Sequence, residues 1–323
     1  MFNLCCNITI GKATFKFVND VQIKKSIFSV SQTARIKLPL MGVVKDKGGN
    51  LKQVNISEQI AQGDKVTIDL GYNDTLRREF SGQVSRINYR SPLEVECEDV
   101  YALRNTSVKK SWKSASLKTL LGDIAGGLFT LSKDIPDITI QNFRTDNQSV
   151  LWVLEEIKSN YGLSIYFLPD GKLYAGLAYG YNAGKVKFDL RKNVVNPDDL
   201  KWSDAKDVKL KVNAICFTAD GNKIEAEIGN KDGEIRTLYF YDVKDKEHLK
   251  KLAESEIQKY QFSGYRGQIT AFLIPAADIG MTASVADSVY PVRGGDYYIE
   301  STEVTYNTSG GRRKVQLGIK LSA

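Results

Sequence analysis

Acidic side chains at alternate positions are the first candidates for chemistry. Glu94, Glu96 and Glu98 lie two residues apart, with Asp99 next to the last. Paired carboxylates can hydrolyse a glycosidic bond without help from a histidine. Residues two apart, however, share one face of a strand, and Leu93, Val95 and Cys97 take the other. The spacing therefore predicts a solvated outer face. Glu155 and Glu156 read the same way, as the polar side of a helix. The one histidine, His248, sits among lysines early in a predicted helix. It cannot build a His-rich zinc site. A serine triad would need it, and no Gly-x-Ser-x-Gly elbow accompanies it.

Four cysteines are present, Cys5, Cys6, Cys97 and Cys216, and none has metal-ligand spacing. Cys97 and Cys216 alternate with polar residues as small core residues do, so both read as buried structural thiols made in a reducing compartment. So few cysteines in so long a chain argue against a disulfide framework. Gly48-Gly49 and Gly126-Gly127 lack the Gly-Lys-Ser/Thr ending of a phosphate loop. No catalytic residue, metal ligand or cofactor site is assigned. One basic run remains, Arg312-Arg313-Lys314 after Gly310-Gly311. At a hairpin it reads either as a basic turn facing a lumen or DNA or as a charged turn shielding a strand edge.

The 323 residues are 42% hydrophobic and 26% charged, with a formal net charge of +7. The 45 basic residues are scattered among 38 acidic ones, which favours solubility over a nucleic-acid footprint. No apolar run approaches the roughly 20 residues that cross a bilayer. The opening Met1-Phe2-Asn3-Leu4-Cys5-Cys6 has no basic region and no long apolar stretch, so no secretory signal is expected.

Three segments position these residues. Residues 1–103 are strand-like: Val66, Ile68 and Leu70 alternate, as do Leu93, Val95 and Cys97. Turn signals fall at 46–50, at Gly71-Tyr72-Asn73-Asp74 and at Arg90-Ser91-Pro92. Residues 104–180 form a small α+β unit. Leu117, Leu120, Leu121 and Ile124 have helical spacing, and Gly126-Gly127 stops the run. Ile138-Thr139-Ile140 predicts a strand. A second helix carries Val150, Leu151, Leu154, Ile157 and Tyr161 on one face, with Thr145 and Gln148 as its capping box and Gly162 as its stop. A hairpin follows, Leu163 to Phe167 and Lys172 to Tyr174, turning at Pro169-Asp170-Gly171. Residues 181–323 return to strands. One helix, 245–260, interrupts them, and a ribbon from Tyr298 to Leu321 closes the chain around a loop at Asn307 to Gly311. The two outer segments share a loose strand–tyrosine–turn–strand layout.

Asp134 to Leu177 resembles the middle of phage late control protein D and related tail-tip (baseplate) hub proteins. In that family a Gln-Asn-x-Thr-Asp element precedes a helix ending in Tyr-Gly, then a strand, an Asp-Gly turn and a further strand. This chain has Gln141-Asn142-Phe143-Arg144-Thr145-Asp146, with Arg144 as an extra residue, then Tyr161-Gly162, Ile165 to Leu168 and Asp170-Gly171-Lys172-Leu173. Ser31 to Pro39, Gly63 to Ile68, Phe80 to Val84 and Glu96-Cys97-Glu98-Asp99 resemble the strands of the family's first barrel. The resemblance covers residues 25 to 180 by motif and the remainder by layout.

It implies a β-rich α+β fold with two tail-tube-like β-barrel domains, 1–103 and 181–323, around an α+β domain at 104–180. It also implies a non-enzymatic homotrimer whose six barrels form a pseudo-hexameric ring joining a tail tube to a spike. The implied partners are further copies of the chain, the tube protein, the spike and the tape-measure protein, with transient DNA passage at most and no stable membrane insertion. The implied location is a virion tail or tail-like particle assembled in the bacterial cytoplasm. A contractile injection system offers a second machine for the same hub. From other classes, a β-rich cell-wall or carbohydrate-degrading enzyme and a simple binding module remain as alternatives.

Overall fold

Period-two patterning becomes strand almost wherever it occurs. The computed structural model describes residues 3–45, 50–136, 138–196, 199–218, 222–241, 243 and 245–321. Among the described residues, fourteen strands make one sheet. Seven come from the first segment: β1 (Leu4–Ile10), β2 (Ala13–Phe15), β3 (Asp20–Ser26), β4 (Thr33–Leu38), β5 (Lys65–Tyr72), β6 (Thr75–Asn88) and β7 (Leu93–Glu98). Seven come from the third: β8 (Lys185–Asp189), β9 (Val194–Asn196), β10 (Leu200–Ser203), β11 (Gly264–Ala271), β12 (Thr282–Ala286), β13 (Gly295–Asn307) and β14 (Gly310–Lys320). The path runs β9-β11-β14-β13-β3-β4-β7-β6-β5-β1-β2, with β12 on β13, β8 on β12 and β10 on β11.

The two outer segments are thus not separate sheets. Strand β13 pairs antiparallel with β3 from Ser301↔Ser26 to Asn307↔Asp20. The apolar side chains follow the same join. One core gathers Ile8, Ile23, Ile36, Ile68 and Val95 of the first segment, and also takes in Leu273, Val304 and Tyr306 of the third. A second core lies under β11, β13 and β14 and includes Phe188, Tyr297 and Ile299. Contacts of this sequence separation cannot form until a long loop has closed, so they tie the chain's two ends into one body.

The middle segment adds a separate core built from two helices. After a short helical turn, α1 (Tyr101–Arg104), come α2 (Leu117–Ala125) and α3 (Val150–Tyr161). Leu117, Leu120, Leu121 and Ile124 are buried on α2, as are Val150, Leu151, Val153, Leu154 and Ile157 on α3. Gly126 and Gly162 end them in left-handed conformation, at φ 53° and 60°, a region that only glycine enters at little cost. The predicted capping box does not form. Ser149, not Thr145, caps α3, its side chain accepting from Trp152 N, and Ser116 caps α2 in the same way. Thr145 is buried, and its hydroxyl oxygen accepts from the backbone N–H of Lys110 instead. The strand predicted at Ile138–Ile140 forms as Thr139–Arg144, longer at its C-terminal end, and the predicted hairpin forms from Ser164–Phe167 and Lys172–Gly176.

The helix α4 (Lys246–Tyr260) covers a three-stranded sheet of Leu210–Phe217, Lys223–Gly229 and Glu234–Tyr241, burying Leu249, Ala253 and Ile257. At the hairpin between β5 and β6, Asn73 and Asp74 adopt φ 51° and 61°, the paired left-handed turn that matches strand twist. The turn expected at 46–50 falls largely outside the described residues. Among the described residues, no helix is long and apolar enough to cross a membrane.

Candidate functional site

The join between β3 and β13 carries a polar surface on one face of the sheet. Alternation sends Val21 and Ile23 inward from β3, and Val304 and Tyr306 inward from β13. Their neighbours Gln22 and Lys24, and Ser301, Glu303 and Thr305, point the other way. The same parity puts Arg35 and Lys37 of β4, Glu94, Glu96 and Glu98 of β7, and Gln316 and Lys314 of β14 on that face. Register confirms the rows: Glu303 lies opposite Lys24 on one side and Lys314 on the other, and Gln22 also donates to its carboxylate. A groove of about 340 Å³ crosses this face. Lysines, serines, threonines, two glutamines and Glu303 line it, without one apolar side chain.

The basic run sits on this face only in part. Arg312, Arg313 and Lys314 are not in the turn; they stand on β14, so they alternate. Lys314 is exposed. Arg312 lies on the same face, its guanidinium 5.0 Å from the centre of the Phe272 ring and its Nη1 donating to the Gly311 carbonyl at 2.9 Å. Arg313 points into the interior, 1% exposed. There it donates to both carboxylate oxygens of Glu79, at 2.6 and 3.1 Å, and to the carbonyl of Ala277 at 2.9 Å. The expectation that all three present charge outward is corrected at Arg313: it shares the parity of the buried Val315, Leu317 and Ile319.

The acidic row is corrected in a similar way. Glu94, Glu96 and Glu98 do share one face, but it is not a solvated one. Glu94 is 4% exposed and Glu98 7% exposed, because neighbouring side chains lie over them. Arg90 reaches Glu94 at 2.7 Å and holds its carboxyl below the usual range, against a lesser opposing effect of burial. Asn88 donates to both Glu94 and Glu96. Arg104 grips Glu98 with Nε and Nη2 at 2.9 and 2.8 Å. Each acid is engaged by a basic or amide side chain, which is the setting of a structural carboxylate.

Cys97 and Cys216 are buried as expected, and burial pushes the Cys97 thiol up to about 12. His248 is exposed in the first turn of α4. Among the described residues, no group of three or more His, Cys, Asp or Glu could hold a metal ion.

A third feature had no forecast. Tyr166, Tyr174 and Tyr298 are buried together with Ile27 and Ile279, with Tyr179, Tyr181 and Tyr260 packed against them. All three segments contribute. Tyr298 donates to the Tyr181 carbonyl at 2.6 Å, and Tyr179 donates to Glu300 at 2.6 Å. Burial raises the Glu300 carboxyl above its usual value, against the opposing pull of that hydrogen bond and of Arg236. The linker leaving the middle segment is pinned here by its tyrosines.

No protein-family model matches the chain, and no curated protein sequence does. Solved structures do match. A tail protein from Neisseria meningitidis MC58 has a TM-score of 0.62 at 12% identity, covering 98% of this chain and 96% of its own. The 43 kDa tail protein of prophage MuSo2 from Shewanella oneidensis has a TM-score of 0.61 at 16% identity, covering 97% of each chain. The E. coli c3393 protein is a type VI secretion component described as structurally similar to T4 tail proteins gp27 and gp5. It has a TM-score of 0.59 at 12% identity, covering 98% of this chain and 77% of its own. Over nearly its whole length, the chain shares the fold of these phage-type tail proteins and of the type VI secretion component.

Proposed function

We propose that the chain is the hub at the tip of a phage-type tail: a homotrimer whose ring joins the tail tube to the spike. The observation that carries this reading is the β3–β13 join. It lays the strands of residues 1–103 and 181–323 side by side in one sheet. Two β units fixed as neighbours in one subunit can repeat around a threefold axis as six similar units, which matches a hexameric tube above and a trimeric spike below. A ring of this kind closes through heterologous contacts. In this reading the two outer segments act as the tube-like barrels and residues 104–180 as the inserted domain. The polar sheet face, with Lys24, Arg312 and Lys314, turns toward the channel, where DNA passes transiently, and the tape-measure protein is a further neighbour. The hub has no enzymatic role, and it works in a virion tail or tail-like particle assembled in the bacterial cytoplasm.

Exposed apolar side chains supply material for subunit contacts. Phe17 is 88% exposed and Val292 91%, and large apolar residues left in water mark association surfaces when they cluster. Native mass spectrometry of the chain, alone and co-expressed with the neighbouring spike protein, tests the reading. A trimer and a ring in negative stain are expected. A strictly monomeric chain at high concentration, with the spike present, would overturn it.

The similarity to the type VI secretion component supports a second machine for the same hub, a contractile injection system. Capsid and terminase genes beside this one decide for the phage.

A further inference from the structure

A cleft of about 520 Å³ opens where the three segments meet. One wall is apolar and belongs to the middle segment: Leu128, Phe129, Phe167 and Pro169. The Phe129 and Phe167 rings meet edge to face, 5.8 Å between centres, so this wall is braced. Leu128 at its rim is 40% exposed. The other wall is charged, and its charges do not balance. Lys25 Nζ stands 2.7 Å from Asp278 Oδ2, and the Arg77 guanidinium stands 3.8 Å from the same oxygen. One carboxylate therefore faces two cations. Of the other charges on this wall, Glu79 is engaged by Arg313, and Arg78 is engaged by Asp69 from outside the cleft. Asp99 is engaged by the backbone N–H of Gln32, from which its Oδ1 accepts at 2.8 Å, and burial raises its carboxyl. The surplus positive charge rests on Arg77, whose side chain is 40% exposed.

Volumes of roughly 300–1,000 Å³ are those of ligand sites, often placed between structural units, and here an apolar wall faces a charged one. A guanidinium is built to take a carboxylate with two parallel hydrogen bonds. The cleft is too small for a folded element. We propose that it docks an extended peptide segment of a partner protein, with an apolar side chain against Leu128 and Phe129 and a neighbouring aspartate or glutamate on Arg77. The occupied cleft would bridge all three segments of the subunit. The inference stands apart from the ring reading, since it needs no second copy of the chain.

The test is selection of a displayed random heptapeptide library against the full chain, with Arg77→Glu and Leu128→Glu as parallel baits. The wild-type chain should enrich peptides with an apolar residue beside Asp or Glu. A synthetic copy should bind the two variants about tenfold or more weakly in fluorescence anisotropy. Both side chains are partly exposed, so the thermal midpoint should hold; Leu128→Ala and Arg77→Gln repeat the test with milder changes. No enrichment, enrichment of basic peptides, or equal binding by all baits would overturn the proposal. A change in native mass caused by these substitutions would overturn it too, by assigning the cleft to a second copy. A wild-type chain that stays monomeric with the spike would sink the ring reading and leave the peptide selection standing.

Discussion

Arg313 and Glu79 stand 234 residues apart in sequence and form a two-pronged ion pair inside the protein, their side chains 1% and 3% exposed. The pair crosses the join between the first and third segments. Taking two charges out of water is costly, and the mutual attraction offsets that cost only while both partners remain. Glu79→Ala leaves a buried guanidinium with only carbonyl partners, so a loss of about 3–5 kcal/mol is expected, measured by urea denaturation. Replacing both together, Glu79→Leu with Arg313→Met, should recover most of it. A double variant no more stable than the single one would show that the pair does not act as a unit.

The Asp99 carboxyl gives the molecule an unusual pH response. Burial dominates its shift and the nearby Glu98 adds to it, while a hydrogen bond from the Gln32 N–H and the charge of Lys25 oppose it. Its folded value of about 8 lies above the unfolded value of about 3.9. Between these limits the folded chain binds one more proton than the unfolded chain, so stability from this group falls as pH rises. The slope is about 1.4 kcal/mol per pH unit for one proton. Glu94 works in the opposite sense: its folded value is lowered, so its contribution is lost as pH falls. Asp99→Asn should flatten the decline of the unfolding free energy between pH 5 and pH 8 and leave the acid limb in place. An unchanged profile would remove Asp99 as its source.

Much of this was legible because short-range patterns decide it. Leu117, Leu120, Leu121 and Ile124 give α2 by spacing, and Gly126 and Gly162 mark stops that a left-handed backbone requires. What pairs with what was not legible, since nothing in Asp20–Ser26 names Ser301–Asn307 as its partner. Arg313 is instructive. The parity that ran through Val315, Leu317 and Ile319 assigned it to the interior, yet its charge and the nearby glycines suggested an exposed turn. Glu94 and Glu98 were given the right face, and their burial came from Arg90 and Arg104, which lie outside the strand. The Thr145–Gln148 box failed because the chain enters the helix later, at Ser149, a residue with an equally good cap.

Gly162 tests the seam between the middle segment and the sheet under α4. It has a φ of 60° and ends α3. A Cβ built on it would come within 1.8 Å of the Tyr239 ring. Gly162→Ala therefore meets two penalties: roughly 1–2 kcal/mol for the left-handed backbone and displacement of an aromatic ring that stacks on Phe217. A loss above about 2 kcal/mol is expected, and Gly162→Ala with Tyr239→Ala should relieve the steric part only. If the single variant unfolds at the wild-type midpoint, the close approach of Tyr239 is not a feature of the folded chain.

Lys24 and Lys314 lie on either side of Glu303 across three adjacent strands, so two cations flank one anion, to which Gln22 already donates; the groove's third lysine, Lys25, is paired with Asp278. An entirely polar sheet face with surplus lysine is poorly suited to a subunit contact, where the buried centre is depleted of charge. It is well suited to a water-filled channel that a polyanion crosses without sticking. The double variant Lys24→Glu with Lys314→Glu should therefore leave the native mass of the proposed ring unchanged. Retention on duplex DNA should weaken, and the logarithmic salt dependence should flatten by about 1 for each phosphate no longer neutralised. Loss of the ring in this variant would instead make the polar face an assembly surface and turn the channel toward another side of the sheet.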